Sequence, residues 1–266
     1  MDLEGRRVLI TGASRGIGAA LAEAFRAAGA VVALAARSEG PLLALATALA
    51  GAAYPVDLCD PEAVAGFIGR VEASGGPVDV LVNNAGIDSS GFYGDLASDD
   101  LERLFRTNLL APAELIRQVL PGMIDRGRGH VVNISSMAGV AAFPGLAPYA
   151  ATKAALTRLT TGLALDLAGM PVGVTAVEVG PVTTDMLANI DGYGPTAASF
   201  QRMFNIRLLR RLSAPEVAQA VVSAVQKDRP FVRLPRRAAL FPAIANLPQW
   251  TTRYLLAGVR PRPKER

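Results

Sequence analysis

Short apolar runs alternate with longer amphipathic stretches along most of this 266-residue chain. The runs at 7–10, 31–35, 52–56, 78–82, 130–135 and 173–178 have little polar interruption, the pattern of strands buried on both faces. Between them, segments near 16–28, 40–50, 61–73, 100–126 and 148–168 carry apolar residues at helical spacing, and another follows at about 214–227. Ser213-Ala214-Pro215-Glu216 opens that last helix as a capping box, with proline tolerated in the first turn. Gly192, Gly194 and Pro195 mark 186–212 as an irregular segment between the last strand and the last helix. Strands and helices in alternation predict an α/β fold, a doubly wound parallel sheet with helices on both faces.

A chain of this length buries a large core as a single domain. Hydrophobic residues make up 51%, yet no uninterrupted apolar run approaches the ~18 residues that a membrane-spanning helix needs. The opening Met1-Asp2-Leu3-Glu4-Gly5-Arg6 carries acids and no apolar h-region, so it does not read as a secretory signal. The single cysteine, Cys59, has no intramolecular disulfide partner, which suits a reducing, cytoplasmic location. With one His, one Cys and no clustered ligand spacing, no metal site is expected. Charge is unevenly spread. Residues 227–266 hold ten Lys/Arg against two acids, whereas the first 226 hold seventeen against twenty-one. Beyond Phe231-Val232-Arg233, the residues Phe241, Ile244, Leu247, Trp250 and Tyr254 interleave with arginines. This basic amphipathic C-terminal extension, 231–266, has three open readings: peripheral contact with an anionic membrane surface, a lid beside an apolar pocket, or a tail packed on the domain. No nucleic-acid reader motif accompanies it, so no nucleic-acid partner is expected.

Two clusters carry candidate chemistry. The run Arg7-Val8-Leu9-Ile10 leads at once into Thr11-Gly12-Ala13-Ser14-Arg15-Gly16-Ile17-Gly18 and then a helical pattern. Glycines at 12, 16 and 18 let the backbone turn tightly and let a phosphate approach a helix N-terminus, where amides and the macrodipole favour anions. The spacing is G-x-x-x-G-x-G rather than G-x-G-x-x-G. The second cluster is Tyr149-Ala150-Ala151-Thr152-Lys153, thirteen residues after Ser136. Residues four apart on a helix share a face, so Tyr149 and Lys153 can point into one cleft. A free tyrosine, with a pKa of about 10, exchanges protons poorly at neutral pH. An ammonium one turn away favours the phenolate and brings the group into a useful range. Ser136 follows the apolar run at 130–135, where its hydroxyl can hydrogen-bond a substrate carbonyl oxygen.

Taken in order, Thr11 to Gly18, Asp57, Asn83-Asn84-Ala85-Gly86, Asn108, Ser136, Tyr149, Lys153 and Gly180-Pro181-Val182-Thr183-Thr184 make the chain resemble the short-chain dehydrogenase/reductase family in its single-domain form, over residues 5–190. The resemblance implies a Rossmann-type catalytic domain over 1–230, with 186–212 as a substrate lid, followed by the 231–266 extension. Ser136, Tyr149 and Lys153 are the implied catalytic residues, and Asn108 the holder of a water that links the lysine to solvent. Implied cofactor contacts fall on Gly12, Ser14, Arg15, Gly16, Ile17 and Gly18. Others fall on Asp57 and Leu58 at the adenine, and on Asn84, Ala85 and Gly86 along the adenosine ribose. Pro181, Val182 and Thr184 would meet the carboxamide and pyrophosphate, while Tyr149 and Lys153 face the nicotinamide end. Asn83 is implied as a brace of the central sheet. Val179 departs from the family, standing where proline usually precedes the glycine.

Charge bears on cofactor choice. An acid at the end of the second strand would bind the ribose hydroxyls of NAD and repel a 2′-phosphate. Ala36 and Arg37 stand there instead, and Arg15 adds a second guanidinium able to clamp a phosphate, which favours NADP(H). The implied chemistry is hydride transfer to a carbonyl carbon, with Tyr149 donating a proton to its oxygen, Ser136 polarising that oxygen, and Lys153 tuning Tyr149 and holding the nicotinamide ribose. The apolar tail points to an apolar substrate, lipid-like, 3-oxoacyl or steroid-like. The resemblance also implies a homodimer or homotetramer with the 100–126 and 148–168 helices as the dimer face. Two other classes stay open: a non-catalytic NADP(H)-sensing protein on the same fold, and a membrane-peripheral interaction protein working through the tail. His130 reads as an edge residue at the start of a strand, and Cys59 as a turn residue without a role.

Overall fold

The structure, a computed structural model, describes residues 1–235 and 237. β1 (Arg7–Thr11) leads through the glycine turn into α1 (Gly16–Ala27), and β2 (Val31–Ala36) into α2 (Glu39–Ala48). β3 (Ala52–Pro55) is followed by the single turn α3 (Pro61–Val64) and by α4 (Phe67–Gly75). Gly66, at φ +63°, separates these two, so the helix read at 61–73 is two pieces. After β4 (Val80–Asn83) come α5 (Ser98–Phe105), α6 (Ala111–Asp125), β5 (Gly129–Ser136), α7 (Ala147–Asp166) and β6 (Val172–Val179). α8 (Asp185–Asp191), α9 (Gly194–Asn205) and α10 (Ala214–Gln226) precede β7 (Phe231–Leu234).

The strands pair in parallel in the order β3-β2-β1-β4-β5-β6-β7, with Leu9 opposite both Ala33 and Leu81, and Val177 opposite Val232. This is the doubly wound Rossmann-type sheet that the alternating pattern predicts. Successive β1 side chains point to opposite faces. Val8 and Ile10 join a core with Leu21 and Phe25 of α1 and Val217 and Val221 of α10. Leu9 joins a second core with Ile68 of α4 and Leu115 and Val119 of α6. Both faces are therefore sealed, and the chain order reverses between β1 and β4, where a crevice opens beyond the carboxyl ends of the strands.

Several expectations need correction. The 100–126 helix is interrupted: a π-helical turn, Arg106–Leu110, separates α5 from α6 and holds Asn108 inward. The 186–212 segment is mostly helical, because Leu187, Ile190, Phe200 and Met203 give α8 and α9 buried undersides that offset the glycines between them. Phe231–Leu234 is a seventh strand beside β6, so the sheet extends past the boundary read at residue 230. Arg233 accordingly belongs to the sheet, its Nε donating to Glu178 Oε2 at 2.7 Å. His130 is not an edge residue. It lies between β4 and β6, 1% exposed, with Nε2 2.7 Å from Thr175 Oγ1, and burial pushes its pKa down to about 4. The capping box is present, with Ser213 Oγ accepting from Glu216 N at 3.3 Å. The remainder of the basic extension, residue 236 and residues 238–266, lies outside the described residues. Among the described residues, no helix is long and apolar enough to cross a membrane.

Candidate active site

A cleft of about 570 Å³ occupies that crevice. One end is built on the glycine turn. Gly12 has φ +65°, and a Cβ there would lie 2.7 Å from Ala85 Cα, while one on Gly18 would lie 2.1 Å from Gly12 O. Only glycine lets β1, the β4 loop and α1 meet this closely. Thr11 Oγ1 accepts from the amides of Asn84 and Ala85 at 3.0 and 3.1 Å, and Asn84 Nδ2 donates to the carbonyls of Thr11 and Gly12 at 2.9 and 3.2 Å. Asn84 therefore holds the glycine turn in shape as well as lining the cleft. Asn83 turns the other way: its Nδ2 donates to Asn133 Oδ1 at 2.8 Å, and Asn133 Nδ2 donates to Thr160 Oγ1 at 2.9 Å, tying β4 and β5 to α7. The first turn of α1 contains no acid and no capping side chain, so its amides stay available to a phosphate. These features fit a dinucleotide pyrophosphate.

Asp57 and Leu58 line the same end, with Asp57 Oδ1 accepting from Cys59 N at 2.9 Å in a side-chain turn. Arg37 follows β2 and faces the cleft. Arg15 also lines it, but its Nη1 pairs with Asp185 Oδ2 at 3.0 Å, on the first residue of α8. On the opposite wall Gly180 N donates to Leu234 O at 2.7 Å, Leu212 N to Pro181 O at 2.8 Å, and Thr183 N to Leu212 O at 3.0 Å. These bonds brace the Gly180–Thr184 loop, which Val179 precedes in place of the family's proline. Ser14, Gly16, Ile17, Gly86, Val182 and Thr184 also line the cleft.

Ser136, Tyr149 and Lys153 converge at the centre. Ser136 ends β5 and lines the cleft with Tyr149, which stands on the first turn of α7. Burial pushes Tyr149 up to about 12, opposed by the Ser136 hydroxyl and reinforced by the Asp88 carboxylate. Lys153 Nζ donates to Ile134 O at 3.0 Å and sits 5.9 Å from the Tyr149 ring centre, its pKa pushed down to about 8 by burial. Burial is the largest influence on the phenol and holds it above its ordinary range. Asn108 does not reach the cleft surface. Its Oδ1 accepts from Ile87 N and its Nδ2 donates to Ile87 O, both at 2.9 Å, with a further bond to Thr152 Oγ1 at 3.2 Å. Both Asn108 Oδ1 and Lys153 Nζ lie 3.3 Å from the place a Cβ on Gly86 would take, so Gly86 lets the two approach one another.

The other end of the cleft is apolar. Phe143 and Leu146 from the loop before α7 face Leu187 and Ile190 of α8, Phe200 of α9 and Leu209. Phe143 and Phe200 meet edge to face with centroids 4.9 Å apart. Thr196 Oγ1 donates to Pro144 O at 2.6 Å, which seats α9 on that loop. Asp88, just past the Asn-Asn-Ala-Gly run, carried no signal legible in the sequence. Its carboxyl is half-buried near Asn189 and Arg15, and burial raises its pKa. Asp185 was equally illegible, since an acid opening a helix ordinarily reads as a partner for the helix dipole. Among the described residues no group of three or more His, Cys, Asp or Glu could hold a metal.

Sheet and cleft together define a Rossmann-type oxidoreductase. The family model described as short chain dehydrogenase matches residues 6–192, and the chain belongs to that family. It is 34% identical to the ketoacyl reductase HetN of Nostoc sp. over 84% of this chain and 76% of that protein. It is also 34% identical to the fatty acyl-CoA reductase Rv0547c of Mycobacterium tuberculosis, covering 94% and 83%. Some longer curated relatives are matched over only 43% of their own length. Among solved structures, a short-chain dehydrogenase from Sphingobium yanoikuyae in complex with NADPH superposes with a TM-score of 0.77 at 30% identity, covering 96% of both chains.

Proposed function

We propose that this chain is an NADP(H)-dependent oxidoreductase that interconverts a carbonyl and a secondary alcohol on an apolar, lipid-like substrate, a 3-oxoacyl or steroid-like compound. The observation that carries the proposal is the convergence of Ser136, Tyr149 and Lys153 on one cleft, Lys153 Nζ 5.9 Å from the Tyr149 ring centre, where a phosphate-fitting end meets an apolar end. The bound nicotinamide supplies or accepts the hydride. Tyr149, protonated across the neutral range, donates its proton to the carbonyl oxygen during reduction and recovers one from the alcohol during oxidation. Ser136 Oγ donates a hydrogen bond to the same oxygen and stabilises the charge that develops there. Lys153, charged below its pKa of about 8, stabilises the phenolate left behind, and its ammonium can reach a ribose hydroxyl. Asn108 fixes Ile87 and hence the wall behind Lys153.

The apolar lining of Phe143, Leu146, Leu187, Ile190 and Phe200 supports an apolar substrate, as do the printed names of the ketoacyl and fatty acyl-CoA reductases among the relatives. Arg37 and Arg15 support NADP(H), as does the NADPH complex among the structural neighbours. Exposed Leu110 just before α6, Ile124 near its end and Leu165 on α7 support a homo-oligomer that covers them. The test is oxidation of NADPH by purified protein across carbonyls running from small ketones to long-chain 3-oxoacyl thioesters and steroids. Turnover favouring the long apolar members supports the proposal. Turnover confined to small polar ketones contradicts the substrate class, and silence despite NADPH binding favours a nucleotide sensor.

A further inference from the structure

We infer that Asp185 is a cofactor-selectivity residue, because it competes with the adenosine 2′-phosphate for Arg15. The inference rests on the NADP(H) reading above and adds a residue to it. The strand order places β2 and β4 on opposite sides of β1. Arg37, which has no ion pair among the described residues, follows β2 and marks the adenosine side. Arg15 stands between, on the turn after β1, but its guanidinium is drawn the other way. It pairs with Asp185, which follows β6, at 3.0 Å, and it also acts on the carboxylate of Asp88, which follows β4. A phosphate gripped by both Arg37 and Arg15 therefore requires Arg15 to leave Asp185 and swing across β1 toward β2. Both members of the pair are about three-quarters exposed, at 78% and 74%, so the side chains are free to rotate and the bond is weak enough to exchange. A cofactor without the 2′-phosphate offers no such alternative partner, so Arg15 stays with Asp185.

Asp185 thus lowers affinity for the phosphorylated cofactor alone, by the strength of one exposed ion pair. Calorimetric titration of the full chain with NADPH and with NADH, in the wild type, Asp185→Asn, Arg15→Ala and the double variant, tests this. Asp185→Asn is expected to tighten NADPH by about two- to fivefold relative to NADH. That relative gain is expected to vanish in the Arg15→Ala background. Any loosening of α8 by the substitution acts on both cofactors alike and cancels in the ratio. The pair 2′,5′-ADP and 5′-AMP, which lack the nicotinamide, should repeat the pattern. An equal change for NADPH and NADH would overturn the inference. So would a relative gain that persists without Arg15, which would mark through-space repulsion rather than partner exchange. Binding of neither cofactor would overturn the NADP(H) reading itself and this inference with it.

Discussion

Lys153 is a charge held where the folded chain resists charge, and its removal should make the protein more stable while stopping its chemistry. Its pKa stands near 8 against an ordinary 10.5, with burial as the cause, and the residue is 4% exposed. The folded state therefore disfavours the ammonium by about 3 kcal/mol relative to the unfolded chain. Lys153→Met keeps the aliphatic stem and removes the charge, but it also loses the charge-assisted bond from Nζ to Ile134 O, worth about 2 kcal/mol. The net expectation at neutral pH is a gain of about 1 kcal/mol. In thermal terms this is a rise in Tm of about 3 °C. The sign changes with pH in a defined way. Below about 8 both states of the wild type carry the proton, and the whole penalty is present. Between about 8 and 10.5 the folded state releases its proton while the unfolded state keeps it, so wild-type stability rises with pH. Above 10.5 both states are neutral and the advantage of the variant disappears. Urea denaturation of both proteins at neutral pH and above the free-lysine range measures the two differences. A variant less stable than wild type at neutral pH, or a difference that does not shrink as pH rises, would refute the reasoning.

Three further outcomes follow from the same geometry. Ser136→Ala removes the donor expected at the developing oxyanion and should lower kcat for reduction by about 10²–10³-fold, with little change in NADPH affinity by titration. The kcat/KM for reduction should be level below about pH 8 and fall above it as Lys153 discharges, while Tyr149, at about 12, stays protonated throughout; a profile flat to pH 10 would contradict this. Gly12→Ala places a Cβ 2.7 Å from Ala85 Cα at φ +65° and should cost about 1–3 kcal/mol by urea melts, with loss of nucleotide binding.

Much of the fold was legible because burial on both faces leaves near-continuous apolar strands, and the glycine turn has one physical use. Ser136, Tyr149 and Lys153 meet as their spacing implies, since a strand end and a helix face are rigid supports. What the sequence hid depends on contacts across the fold. The π-helical turn at Asn108 is set by its bonds to Ile87, twenty-one residues earlier, and no periodicity reports that. The segment of α8 and α9 looked irregular because Gly192, Gly194 and Pro195 dominate local propensity, whereas the buried undersides of the two helices decide the outcome. β7 was read as the start of an extension because four residues, one of them an arginine, carry little signal; its pairing with β6 and the Arg233–Glu178 bond define it. The burial of Tyr149 and the Arg15–Asp185 pairing are likewise set by the tertiary fold, and spacing alone reports neither.

The central claim is that this cleft moves hydride between NADP(H) and a carbonyl with Tyr149 as the proton donor. The most direct measurement is mass spectrometry of the alcohol formed from a long-chain 3-oxoacyl thioester with 4,4-dideuterated NADPH, comparing wild type and Tyr149→Phe after both are shown to bind the cofactor. The account predicts one deuterium on the carbinol carbon with the wild type and a rate lower by about 10²–10⁴-fold with the variant. Deuterated product formed equally fast by Tyr149→Phe, or none from the wild type despite bound NADPH, would contradict it.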